Sequence, residues 1–178
     1  MRILPRTFYG RNTKLVAKEL LGKYLIRKIG KRKLTGKIVE TEAYFGNDPA
    51  SHAFRGKTPR CAPMFEEPGH AYVYFIYGNH YCLNVVTEKH GVAGAVLIRA
   101  LEPISDAKLS TNGPGRLTKA FKINMRLNRA DLTKGDMIIT EGKKEKFAII
   151  RAGRIGISKA SKKLYRFYFK GNKYVSKM

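Results

Sequence analysis

Apolar residues recur at helical spacing near the start of the chain and at strand spacing through most of the remainder. Leu15, Val16, Leu20 and Leu21 make one stripe of a helix over Asn12 to Leu21, with Asn12 or Thr13 as its cap and Gly22 as its stop. Glu19, four residues before Lys23, adds a pair of helical spacing. Two strand-like runs follow, Lys23 to Ile29 and Lys37 to Tyr44, separated by the basic turn Gly30-Lys31-Arg32-Lys33. From Phe45 to Gly69 periodicity is lost and Gly, Pro, Asn and Asp accumulate, which marks a long loop of the kind that carries function or moves. The aromatic runs Ala71 to Tyr77 and Tyr81 to Thr87 flank Gly78-Asn79-His80 and read as a hairpin. Ala95 to Ala100 is an apolar strand broken only by Arg99, and Gly113-Pro114-Gly115 opens a helix from Arg116 to Ile123. Met137 to Thr140, Phe147 to Arg151 and Leu164 to Phe169 complete the β segments. Strands outnumber helices and no βαβ alternation is present. The predicted fold class is α+β: a single mixed domain over residues 1–178, with a curved, largely antiparallel sheet and a protruding β-hairpin.

Charge changes this picture more than composition does. The 178 residues carry 36 Lys and Arg against 13 Asp and Glu, a formal net charge of +23. Such a chain repels itself, and a polyanion offsets that cost, so nucleic acid is the expected partner. A solvated lysine-rich surface is the alternative. With 43% of residues apolar, the chain has material for a core, which excludes disorder as its main state. No apolar run reaches the roughly 18 residues of a membrane span, and Met1-Arg2-Ile3-Leu4-Pro5 has no secretory pattern. Cys61 and Cys82 form neither a disulfide framework nor a zinc motif, and His52, His70, His80 and His90 lack metal-site spacing. An intracellular protein with no metal and no membrane partner is expected.

Two stretches carry candidate chemistry. Alternation along Ile38-Val39-Glu40-Thr41-Glu42-Ala43-Tyr44 puts both glutamates and Tyr44 on one face of a strand that enters the long loop. Paired carboxylates suit acid–base work; an exposed edge bearing charges, or ion pairs with nearby lysines, is the competing reading. Tyr72, Tyr74, Tyr77 and Tyr81 cluster near the hairpin tip, where aromatic rings stack on bases or wedge into a duplex, or else fill a core. Gly113-Pro114-Gly115-Arg116-Leu117 is not a phosphate-binding P-loop.

The chain resembles the alkyladenine (3-methyladenine) DNA glycosylase family. The likeness runs in order through Leu4-Pro5-Arg6-Thr7-Phe8-Tyr9, Leu20-Leu21-Gly22-Lys23, Glu40-Thr41-Glu42-Ala43-Tyr44 and Thr58-Pro59-Arg60. It continues through Tyr72-Val73-Tyr74-Phe75-Ile76-Tyr77-Gly78, Leu97-Ile98-Arg99-Ala100-Leu101-Glu102-Pro103, Arg154-Ile155-Gly156 and Leu164-Tyr165-Arg166-Phe167-Tyr168. Cys61 and Asn79 depart from the family pattern, which has asparagine and methionine there.

The resemblance implies a monomeric, monofunctional glycosylase without metal or cofactor, acting on double-stranded DNA that contains damaged purines. It implies that Glu42 activates water, with Arg99 and the backbone carbonyl of Ile155 helping to hold it. Tyr44, His52 and Tyr74 correspond to residues that contact the flipped base, Asn84 to one that screens bases, and Tyr77 to the side chain inserted in the gap. The implied substrates are 3-methyladenine and 7-methylguanine, with hypoxanthine and ethenoadenine as further candidates. Basic turns at Gly30 to Lys33, Lys143 to Lys146 and Lys159 to Lys163 are expected to meet phosphates. The competing function classes are a non-enzymatic basic RNA- or DNA-binding protein and a glycosylase–lyase working through a lysine.

Overall fold

The computed structural model describes residues 1–105, 110–143 and 145–176. Eight strands form one antiparallel sheet. Six lie side by side in the order β3 (Ala71–Ile76), β4 (His80–Val86), β5 (Gly94–Pro103), β2 (Arg32–Phe45), β1 (Tyr24–Ile29) and β6 (Met137–Thr140). β8 (Arg166–Phe169) pairs with β2 and with β7 (Ile149–Ala152). The α+β expectation holds, with α1 (Arg6–Tyr9), α2 (Thr13–Glu19) and α3 (Pro114–Ala120) as the helices.

β2 organises the molecule because it is long enough to serve three neighbours. Its first half pairs with β1, Glu40 to Glu42 pair with β8, and β5 runs along the other edge. Between β2 and β5 the register steps twice: Ile38 faces Leu101, Glu40 faces Ala100 and Thr41 faces Ile98. Val39 is the extra residue on one strand and Arg99 the extra residue on the other. Such bulges bend a strand and re-aim side chains. Here they turn Arg99 towards the acids of β2.

The main core lies between the sheet and the helices: Val16, Ala17 and Leu20 from the α2 region, Leu117 and Phe121 from the α3 region, and Ile38, Val39, Ile98 and Leu101 from the sheet. Thr41 donates its hydroxyl to the Ala17 carbonyl (2.7 Å), tying α2 to β2. A smaller cluster of Ala53, Cys61, Met64, Tyr72, Val86, Ala93 and Ala95 lies under the long loop, which is packed rather than loose. A short 3-10 helix, Ala62–Phe65, carries part of it.

Several local expectations need correction. Asn12 caps α2 by accepting from the Lys14 and Leu15 N–H groups, but the helix ends at Glu19. Leu15 is 41% exposed, because the buried face is set by Thr13, Val16 and Ala17. Gly22, with φ +83°, instead makes the turn into β1, where its N–H reaches the Ile38 carbonyl. Glu19 pairs with Arg11 (2.6 Å) and Lys23 with Glu141 (2.5 Å), so the expected helical pair does not form. Arg32 and Lys33 belong to β2, leaving Gly30-Lys31 as the tip of that hairpin. α3 spans Pro114–Ala120, β4 starts at His80, and β7 and β8 start at Ile149 and Arg166. Lys144, within one of the expected basic turns, lies outside the described residues.

Candidate active site

The two glutamates of β2 leave the strand on one side and are separated by their partners. Glu40 is fully buried; its Oε1 accepts from Arg166 Nε (2.6 Å) and Arg99 Nε (3.2 Å), and its Oε2 accepts from the Ser176 N–H (2.7 Å). Glu42 is also fully buried, with Arg99 Nη1 3.4 Å from Oε1. The Ile155 N–H donates to Oε1 (2.8 Å) and the Tyr44 hydroxyl to Oε2 (2.8 Å). The exposed-edge reading fails, and the ion-pair reading holds with different cations. β2 is not an edge strand at this point, and the cations that meet the acids are arginines rather than lysines.

Electrostatics distinguish Glu42 further. Burial pushes its carboxyl above the ordinary carboxylate range, although the Arg99 guanidinium, the Ile155 N–H and the Tyr44 hydroxyl all oppose that rise, and the charge of Glu40 adds to it. A carboxylate made more basic than usual and held by directed donors is the kind of group that accepts a proton from water.

In front of this carboxylate lies a cavity of about 380 Å³. Tyr44, His52, Tyr74, Asn84, Arg99 and Ile155, expected from the sequence, all line it, and Tyr77 joins them. Glu42 stands behind that wall, with the Tyr44 hydroxyl and Ile155 between it and the open space. The His52 and Tyr74 rings meet edge to face at 4.7 Å, and His52 Nδ1 lies 2.8 Å from the Tyr72 hydroxyl. Burial first, and then the charge of Arg60, holds His52 below its ordinary value, which favours the neutral imidazole. Asn84 donates its amide N–H to the Tyr72 carbonyl (3.1 Å), which fixes the orientation of its side chain on the cavity floor.

The hairpin of β3 and β4 turns through Tyr77 (φ +55°) and Gly78 (φ +70°), with Ile76 facing His80. Two consecutive residues in the left-handed region close a tight turn and force the Tyr77 side chain outward. Tyr77 is 78% exposed, as a ring outside any core must be. In the long loop, Cys61 does the work of a capping side chain: its Sγ lies 3.3 Å from the Thr58 N–H and 3.2 Å from the Thr58 hydroxyl. The departure at this position therefore keeps a closed turn.

The sequence reading placed Glu40 beside Glu42 but missed its supporting role, and it missed the other groups that hold the site. Glu40, Arg166 and Ser176 hold Arg99 from behind. Asp48 and Arg154 form a buried ion pair beside Tyr44. In a chain with 13 acids, an aspartate in the Gly46-Asn47-Asp48-Pro49 turn looks like turn chemistry. Only its burial reveals a second role.

Comparison with known proteins shows the family. The methylpurine-DNA glycosylase family profile matches residues 7–173. A Legionella pneumophila protein carrying the inferred name 3-methyladenine DNA glycosylase is 52% identical over 182 residues, covering 99% of this chain and 100% of that one. Similarly named proteins from Carboxydothermus hydrogenoformans and Clostridium acetobutylicum are 50% and 44% identical, over 98% and 97% of this chain and 99% and 97% of their own lengths. The chain belongs to the methylpurine-DNA glycosylase family and is a monofunctional DNA N-glycosylase.

Proposed function

We propose that the enzyme receives 3-methyladenine or 7-methylguanine, swung out of duplex DNA, in the aromatic cavity and hydrolyses its glycosidic bond with water activated by Glu42. The observation that carries this reading is a fully buried, directionally held carboxylate behind a cavity lined by Tyr44, His52 and Tyr74. Inside a duplex C1′ is shielded, so the nucleotide leaves the stack, at a cost of a few kcal/mol. Tyr77 fills the gap and offsets part of that cost. Ring faces favour a base that carries positive charge, while an uncharged His52 does not oppose it. Asn84 crowds the exocyclic amino group of guanine, a penalty that neutral guanine bears in full and that the positive charge of 7-methylguanine offsets through the ring faces.

In the chemical step the Tyr44 hydroxyl exchanges its bond to Glu42 Oε2 for one to water. The water oxygen bonds to C1′, the C1′–N9 electron pair leaves with the base and neutralises its positive charge, and Glu42 takes the proton. Arg99 and the carbonyl of Ile155 orient the water. Glu42 must be ionised beforehand, which the guanidinium of Arg99 favours. The enzyme works as a monomer, and its basic turns position the duplex through phosphates without reading sequence.

Glu42→Gln tests the assignment. Release of 7-methylguanine from methylated duplex is expected to disappear while lesion binding persists. Undiminished release removes Glu42 from the mechanism. A wild-type chain that binds DNA but frees no base points to a binding protein instead, and a borohydride-trapped adduct points to a lysine nucleophile.

A further inference from the structure

We propose that the buried Asp48–Arg154 pair behind Tyr44 sets the preference of the site for positively charged over neutral bases, Asp48 cancelling a cation that opposes a charged base on the other face of the ring. This inference rests on the base-binding role of the cavity given above.

The Arg154 guanidinium lies 4.6 Å from the centre of the Tyr44 ring and 5.4 Å from that of Tyr165. Tyr44 lines the cavity and Arg154 does not, so the guanidinium stands on the side of the ring away from the base. Its Nη1 donates to the Ala43 carbonyl (3.0 Å) and to Asp48 Oδ2, and its Nη2 to Asp48 Oδ1 (3.1 Å). The two side chains are 0% and 1% exposed, so water does not screen them. Arg154 Nε has no hydrogen-bond partner among the described residues, consistent with a guanidinium held largely against ring faces.

An arginine under a tyrosine draws on the same electron density that a cationic base uses from above. A base stacked over Tyr44 lies roughly 8 Å from that guanidinium, where one uncompensated charge changes binding on the order of tenfold. A neutral base feels little of this. If the pair served only to join residues 43–48 to 153–155, its loss would weaken both kinds of base alike.

The test is the ratio of affinities at pH 6.5 for duplexes bearing 7-methylguanine or hypoxanthine on 2′-fluoro sugars, which resist hydrolysis. Asp48→Asn is expected to lower the cation-to-neutral ratio on the order of tenfold, and Asp48→Glu to keep it even where absolute affinity falls. Arg154→Met, independent of whether Asp48→Asn folds, is expected to raise the ratio. Equal losses for both bases, or an unchanged ratio in a folded Asp48→Asn or Arg154→Met protein, overturn the proposal. Failure of the underlying reading looks different: the wild type would not prefer 7-methylguanine duplex over undamaged duplex.

Discussion

The hydroxyl of Tyr44 donates to Oε2 of Glu42 at 2.8 Å, so the ring that lines the cavity also plugs the carboxylate behind it. On the proposed mechanism Tyr44 serves twice, once through its ring face and once through its hydroxyl. The hydrogen bond favours ionised Glu42. Tyr44→Phe keeps the face and removes the bond, so the acidic limb of kcat against pH is expected to move upward. Single-turnover excision across pH measures it, and a downward shift contradicts the assignment.

Glu42 itself should cost stability at neutral pH. Burial raises its folded pKa above the value in the unfolded chain, so below the unfolded value the group is protonated in both states and carries no penalty. As pH rises from there through the raised folded value, the penalty for ionising it grows. Relative to Glu42→Gln, the wild type is expected to lose stability across that window. Urea unfolding of both proteins from pH 4 to pH 8 checks the sign.

Substitution of Glu40 is expected to destabilise the fold. It stands between Arg99 and Arg166 with Ser176 closing the remaining side. Glu40→Gln removes the negative charge that Arg99 and Arg166 share and is expected to cost about 3–5 kcal/mol in denaturant unfolding. Ser176→Ala, which loses one hydroxyl, should cost about 1 kcal/mol.

Tyr77 offers a loss of function without loss of fold. Its ring is outside the core, so Tyr77→Ala should leave the unfolding free energy within about 0.5 kcal/mol of the wild-type value. Lesion-duplex affinity and excision from double-stranded DNA should both fall. Unchanged excision from duplex removes the wedge role.

What the sequence made legible follows from local physics. The period of two along β2 identified Glu40, Glu42 and Tyr44 as neighbours on one face, and the aromatic hairpin declared its own turn. Resemblance to the family supplied Arg99 and Ile155, whose proximity to Glu42 no spacing reveals because they arrive from β5 and from the loop after β7. The different fates of Glu40 and Glu42 were hidden for the same reason. One meets Arg166 and Ser176, more than 120 residues away, and the other meets an aromatic ring two residues along. Leu15 shows the limit of periodicity for a short helix, where a stripe drawn over ten positions is narrowed by the neighbours that α2 packs on.

The paired irregularities at Val39 and Arg99 cancel, so the β2–β5 ladder resumes beyond them in the same phase as before. Deleting Val39 alone would slide Glu40 to Phe45 by one step and exchange inside for outside along the stretch that carries Glu42 and Tyr44. Deleting Val39 together with Arg99 would restore the pairing yet leave two acids facing each other without their shared cation. Length variation at this junction is thus closed to the protein in either strand, whereas the turns at Gly30-Lys31 and around Lys159 to Lys163 remain open to it.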